Sequence, residues 1–490
     1  MIDLTVSRET LDQTIAHARQ RNIIIPTFKQ MRDPSLIPAQ IQEKLKTIGL
    51  WDIDPVNLFR VNWHNVPVER GGGFGGVNYI ELPPGLTGVK ARIVALAGKW
   101  FPTGCHKVGA SFACLVPRLV TGQFDPTAHK AVWPSTGNYC RGGAYNSALL
   151  GCKAVSILPQ GMSRERFEWL EKIARENAGE IIATPGSESN VKEIFDKVWE
   201  LRQNPENMIF NQFEEMGNCL WHYHVTGPAM AEVFEEIAGP DGNFAGVCMA
   251  SGSGGSLSAG DYVKDRYPKA KIAVSEALQC PTLLENGFGD HRIEGIGDKH
   301  VPWVHNVKNS DMVVAIDDES AVNLLRTFNE PAGKAYLKDE LRLCPALIEK
   351  LSWLGISGIA NVLTAIKFAK YYELTARDVV ATVLTDSAVM YGSRLEELTT
   401  EKGPYTAARA MADHERYMLG AATDNLLELT YPAKKRVHNL KYFTWVEQQG
   451  RTAEELNAQW YDSAYWSDMH AQVDEVDALI EAFNEQVGLL

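Results

Sequence analysis

The sequence predicts an α/β protein of two domains built on mostly parallel sheets, with helical extensions at both ends. Two observations predict it. Apolar, β-rich runs alternate with amphipathic helical stretches through the middle of the chain, as βαβ units require. The chain has 490 residues, more than one simple core accommodates.

The elements follow in order. Residues 1–50 are charged and have helical periodicity. KAVWP at 130–134 reads as a strand and 139–150 as a helix. KAVSIL at 153–158 is strand-like, and RERFEWLEKIAREN at 164–177 is helical. EIIAT at 180–184 is another strand, before a helix at 189–203. FAGVCMA at 244–250, KIAVSEA at 271–277 and VVATVL at 379–384 continue the strand pattern. From about residue 395 helical patterns dominate, and the tail carries Trp445, Trp460 and Trp466. Aromatic residues at that density imply burial, either in the core or against a partner subunit.

Composition excludes several classes. The chain is 45% hydrophobic and 22% charged, as expected of a soluble globular protein. A formal net charge of −13 argues against nucleic acid and against anionic membranes as partners. The start, MIDLTVSRETLDQTIAHARQRN, has no apolar h-region for a secretory signal. No run approaches the ~18 apolar residues of a membrane span. Eight scattered cysteines form no disulfide framework and no zinc spacing, so no metal is expected and a reducing cytoplasm fits. His222 and His224 form an HxH without a third ligand, a pattern that reads as structural.

Four segments carry chemistry. PTGCHKVGASF, 102–112, sets Lys107 among small and apolar residues before a helix, where burial would lower its pKa. PSTGNYCRGGA, 134–144, follows a strand and opens a helix; Ser135, Thr136, Gly137 and Asn138 can aim N–H groups and hydroxyls at a carboxylate. The same pattern serves as a plain N-cap. ASGSGGSLSAG, 250–260, again joins strand to helix. Its glycines let the backbone approach a phosphate, and Ser253 and Ser256 add donors. It is neither a Walker loop nor GxGxxG, because Leu257 stands where the third glycine would be. VLTDSAVMYGSR, 383–394, presents Asp386 and Ser387 directly after an apolar strand. Cys105 and Cys140 flank the first two segments and read as small buried residues.

The order of these segments resembles the fold-type II pyridoxal-phosphate enzymes, which include cysteine synthase, cystathionine β-synthase and the tryptophan synthase β subunit. NQFEEMGN at 211–218, HVTGPAMAEVF at 224–234, HRIEGIGDKHVP at 291–302 and LGISGIANVLTAIKFA at 354–369 add local matches, and the resemblance spans roughly 95–395. It implies pyridoxal 5'-phosphate bonded to Lys107, which also moves the substrate proton. It implies that Asn138 hydrogen-bonds the ring oxygen. Ser135, Thr136, Gly137 and Asn138, with Gln212, would hold the substrate carboxylate. Gly252, Ser253, Gly254, Gly255 and Ser256 would cradle the phosphate. Ser387 would face the pyridine nitrogen, a neutral partner that favours loss of a β-substituent over transamination.

The match departs in places. TGCHKVG is closer to the tryptophan synthase type, whereas STGN is of the cysteine synthase type. Trp133 and Pro134 stand where the tryptophan synthase family has an acidic residue, which argues against indole condensation. Glu214 and Glu215 place two acids on a stretch expected to face substrate; they either favour a cationic substrate or are solvated.

The expected architecture is a large, discontinuous cofactor-binding domain (1–104 and 236–395), a small domain (105–235) and a helical C-terminal extension (396–490). The tail is expected to bury a homodimer surface. The expected reaction is α,β-elimination on a 3-substituted amino acid through an aminoacrylate, giving a 2-keto acid and ammonia. β-Replacement, as in cysteine synthase, is the first alternative. A non-catalytic binding protein on the same fold is the second.

Overall fold

A computed structural model describes residues 1–489 and contains eleven strands in two sheets. The strands are β1 (Tyr79–Leu82), β2 (Arg92–Ala97), β3 (Lys130–Pro134), β4 (Lys153–Pro159), β5 (Glu180–Thr184), β6 (Asn207–Ile209), β7 (Asn243–Ala250), β8 (Lys271–Ala277), β9 (Met312–Ile316), β10 (Asp378–Leu384) and β11 (Leu426–Glu428). The larger sheet has the order β1-β2-β10-β7-β8-β9-β11, and the smaller β5-β4-β3-β6. Strands β2, β10, β7, β8 and β9 are mutually parallel, while β1 and β11 close the edges antiparallel. Every pairing in the smaller sheet is parallel.

A parallel sheet must be covered on both faces, and its strands therefore read as continuous apolar runs. The larger sheet obeys this. Val94, Val247 and Val274 point into one core, shared with Leu257, Ala259 and Val263 of the helix Leu257–Arg266. Ile93, Cys248 and Ala273 point into the other, shared with Ile359 and Ile366 of the helix Ile356–Tyr371. Alternation along each strand thus divides the interior into two cores.

The two ends of the chain pack together. The helices Arg8–Gln20 and Val473–Val487 are in contact. Asn484 pairs through its side chain with both N–H and C=O of Ile25, at 3.0 and 2.8 Å. The Asp477 carboxylate accepts from the Phe28 N–H at 2.6 Å. The tail is not wholly helical: Leu426–Glu428 adds to the larger sheet, with Leu427 opposite Val313. Three residues are too few to show a period. Trp445 and Trp460 are buried within this chain's own interior, and the Trp445 indole donates to the Val301 carbonyl at 2.8 Å. Among the described residues no single helix is long and apolar enough to cross a membrane.

Candidate active site

The four segments singled out in the sequence all follow the C-terminal ends of parallel strands, where open α/β sheets bind ligands. The loop after β2 leads to Lys107, β3 to Ser135–Gly137, β7 to Ser251–Ser256, and β10 to Thr385–Ser387. The first and last abut. His106 N–H donates to the Thr385 carbonyl at 3.3 Å. A Cβ on Gly98 would stand 2.4 Å from that same oxygen, so only glycine permits the approach.

Lys107 opens the helix Lys107–Val120. Its Nζ donates to Ser253 Oγ at 2.8 Å and to Gln212 Oε1 at 3.1 Å. Burial lowers its pKa, with Cys105, Asp298 and Glu188 opposing the shift. A depressed lysine pKa leaves more free amine to react with a carbonyl. Burial also pushes His106 down to about 3, so its imidazole is neutral beside the amine.

The 252–256 loop has the features of an anion cradle. Gly254 has φ +76°, in the left-handed region. A Cβ on Gly255 would lie 2.1 Å from Asn218 Oδ1. Among the described residues the N–H groups of Ser253, Gly254, Gly255 and Ser256 donate to no protein acceptor. The Ser256 hydroxyl caps nothing at the start of Leu257–Arg266. Four free N–H groups, two hydroxyls and a helix N-terminus suit a phosphate dianion, and Lys107 stands at hydrogen-bond distance from the same loop. The residues therefore fit pyridoxal phosphate. Asn218 fixes the arrangement from behind, donating to the Gln212 carbonyl at 2.9 Å and to Ser253 Oγ at 3.1 Å.

The STGN turn is equally constrained. The Ser135 hydroxyl accepts from Gly137 N–H at 3.1 Å. Gly137 has φ +141°, and a Cβ there would lie 2.4 Å from Arg166 Cδ. Asn138 opens the helix Asn138–Leu150 and donates through Nδ2 to Asp386 Oδ2 at 2.7 Å. Ser387 is 4% exposed and lines a cavity of about 470 Å³ with Trp51, Lys99, Trp100 and Gly104. The structure thus brings Lys107, Gln212 and Ser253 into direct contact. It joins Asn138 to the β10 segment through Asp386, and Ser387 borders the cavity lined by Trp51 and Trp100.

Several residues of this region escaped the sequence reading. Arg166 lies fully buried under the STGN turn, pairing with Glu294, Tyr391 (3.1 Å) and Asp386 (3.6 Å). In RERFEWLEKIARE it looks like one more solvated charge on an amphipathic helix; only tertiary packing buries it. Glu188 and Asp298, at 3% and 5% exposure, are among the charges that act on Lys107. Burial raises Glu188 to about 7, while Arg166, Thr136, the Gly295 backbone and Lys107 pull the other way. Burial, reinforced by Glu188 and opposed by Lys107, raises Asp298 well above the carboxylate range. The available signals were modest. Glu188 follows β5, and Asp298 closes the GIGD segment already noted.

Glu214 and Glu215 behave differently from both readings of the sequence. Glu214 pairs with Arg202 and Arg451 at 3.1 Å each, and Glu215 pairs with Arg118. They line a separate cavity of about 390 Å³ with Met1, Tyr465 and other tail residues. They are neither solvated nor placed against Lys107. His222 bonds Thr226 at 3.0 Å and His224 the His470 carbonyl at 2.8 Å. Among the described residues no cluster of three or more His, Cys, Asp or Glu is arranged to hold a metal. Cys105 and Cys140 are buried, with thiols pushed up to about 12.

Fold and site together define a cofactor-dependent α/β enzyme whose ligand sits at the strand ends. The profile of the pyridoxal-phosphate dependent enzymes matches residues 90–335, and the chain belongs to that family. It is 29% identical over 266 residues to a probable cysteine synthase of Bacillus subtilis (strain 168), covering 54% of this chain and 83% of the relative. It is 30% identical over 291 residues to a cysteine synthase of Staphylococcus aureus (strain N315), covering 59% and 84%. Among solved structures it superposes on a hydrogen sulfide-producing enzyme of Fusobacterium nucleatum with TM-score 0.54 and 21% identity, over 65% of this chain and 97% of that one. The cofactor is pyridoxal 5'-phosphate, and the chain is an enzyme of β-elimination or β-replacement on amino acids; the non-catalytic alternative is set aside.

Proposed function

We propose that this enzyme is a lyase that catalyses α,β-elimination on a 3-substituted amino acid, releasing a 2-keto acid and ammonia. The observation that carries this choice is the pair Glu188 and Asp298 beside Lys107. Glu188, raised to about 7, carries negative charge above that pH and then opposes the entry of hydrosulfide or a thiolate, the anionic second reactant that replacement needs. Elimination needs only water after the leaving group departs.

When bound, pyridoxal phosphate supplies an electron sink for the substrate α-carbon. The chain's residues supply position and proton transfer. Lys107 bonds the cofactor and, once freed, takes the α-proton. Gly252, Ser253, Gly254, Gly255 and Ser256 hold the phosphate. Asn138 hydrogen-bonds the ring oxygen; its Nδ2 keeps a second hydrogen besides the one given to Asp386. Ser135, Thr136, Gly137 and Asn138 bind the substrate carboxylate together with Gln212, whose amide oxygen is held by Lys107 and whose NH₂ is left to donate. Ser387 is the partner of the pyridine nitrogen.

The proposal keeps the division into a large domain (1–104 and 236–395), a small domain (105–235) and a C-terminal extension (396–490). It takes the enzyme as a cytoplasmic homodimer acting on a small-molecule amino acid, with no nucleic-acid or membrane partner. Eight unpaired cysteines support a reducing compartment. The test is a panel of 3-substituted L- and D-amino acids with the reconstituted enzyme. Keto acid forming without any added nucleophile supports elimination. Strict dependence on sulfide or a thiol establishes the replacement reading, which the cysteine synthase relatives favour.

A further inference from the structure

Glu188 and Asp298 come from different sheets' loops, the first after β5 and the second after β8. Both act electrostatically on Lys107, opposing the fall in its pKa. The segment carrying Asp298 is seated on the phosphate loop: Gly297 N–H donates to the Ser251 carbonyl at 3.2 Å, and a Cβ on Gly252 would lie 2.5 Å from Gly295 O. Thr136 of the STGN turn lies beside Glu188. The pair is therefore bracketed by the carboxylate turn, the phosphate loop and the reactive amine.

One oxygen of the pair is also unsatisfied. Glu188 Oε2 is buried and has no hydrogen-bond partner. Among the described residues the Asp298 carboxyl makes no ion pair or hydrogen bond. Arg166, the cation that acts most on Glu188, is already committed to Glu294 and Asp386. Glu294 is shared in turn with Arg394 at 2.6 Å. That leaves Lys107, whose amine the cofactor would take. A buried carboxyl left without a partner is costly, and a ligand cation removes the cost. Glu188 also lines a cavity of about 190 Å³ with Met162, His291, Arg292, Glu294 and Arg394, a space that Lys107 and Asp298 do not line.

We propose that Glu188 and Asp298 select a substrate whose 3-substituent bears an ammonium group. The inference rests on the elimination reading for its chemistry and deepens it by naming the substrate class. Lys107 takes the α-proton, and the Cα–H electron pair becomes the Cα=Cβ bond. The Cβ–X bond breaks with its pair on X. For a 2,3-diamino acid, X enters as ammonium and leaves as neutral ammonia. For a thioether bearing an ammonium, X leaves as thiolate and takes the proton from Lys107. The enamine product tautomerises, and water converts it to the keto acid and ammonia.

The test uses the holoenzyme in two forms. Borohydride-reduced holoenzyme, which cannot turn over, is titrated calorimetrically with matched pairs: S-(2-aminoethyl)-L-cysteine against S-propyl-L-cysteine, and L-2,3-diaminopropionate against L-serine. The active holoenzyme is assayed for keto acid on the same four. A preference of about tenfold or more for the cationic member of at least one pair is expected in binding, with the same order in kcat/KM. Glu188→Gln and Asp298→Asn are expected to reduce that preference while binding of S-propyl-L-cysteine changes less than about threefold. Equal or tighter binding of the neutral member in both pairs overturns the inference, whether or not the variants fold. Absence of keto acid from all four, with the binding preference intact, overturns the elimination reading and leaves the selection by charge standing.

Discussion

The Lys107 amine donates to the Ser253 hydroxyl at 2.8 Å, across 146 positions of sequence. This one contact joins the loop after β2 to the loop after β7, and so brings the reactive amine to the phosphate cradle. Ser253 also accepts from Asn218 at 3.1 Å. Ser253→Ala removes the hydroxyl from both donors. Cofactor affinity is expected to fall about tenfold, as loss of a hydrogen bond to a charged group implies. Fluorescence titration of the apoenzyme with pyridoxal phosphate measures it.

Gly255 is predicted to tolerate no side chain. A Cβ would lie 2.1 Å from Asn218 Oδ1 and displace the amide that anchors both Gln212 and Ser253. Gly255→Val should abolish cofactor retention on gel filtration and cost about 1–3 kcal/mol in urea unfolding.

The raised pKa of Glu188, about 7 with burial as its main cause, sets a pH dependence. Below that value the carboxyl is protonated; above it the carboxylate attracts a cation. The groups facing it are Arg166 and Lys107, which favour ionisation, and Asp298, which its charge opposes. For a substrate with a cationic 3-substituent, kcat/KM should therefore rise with pH through about 7. Glu188→Gln should flatten that limb. A limb unchanged in the variant assigns it to another group.

Lys441 ties the extension to the core. Its fully buried Nζ donates to the carbonyls of Trp303 and His305 and to Gln459 Oε1, at 2.8, 2.7 and 2.7 Å. Lys441→Met keeps the volume but strands three acceptors. A loss of about 3 kcal/mol is expected, read as a lower midpoint in urea, with faster proteolysis of the tail.

Much of this was legible in the sequence because most of the strands that matter are buried on both faces, and the edge strand β5 still reads as β-rich. KAVWP, EIIAT, KIAVSEA and VVATVL stand out as apolar runs, and β3, β5, β8 and β10 lie there within a residue. Of the strands not anticipated, β1, β6 and β11 have three or four residues, where no period develops, whereas β2 (RIVALA) and β9 (MVVAI) are interior apolar runs that the reading passed over. Gly137, Gly254 and Gly255 were readable because turns at helix starts use glycine for steric reasons. Arg166 was not, since its burial depends on a turn and a strand end far away in sequence. Glu188 and Asp298 became recognisable only once β5 and β8 were placed so that their loops converge.

The most direct measurement of the central claim is the site of cofactor attachment. The enzyme is reconstituted with pyridoxal phosphate, reduced with borohydride, digested and mapped by mass spectrometry. Phosphopyridoxyl is expected on the peptide containing Lys107, with loss of both label and keto-acid release in Lys107→Ala. Label on a different lysine, or full activity in Lys107→Ala, would contradict that claim.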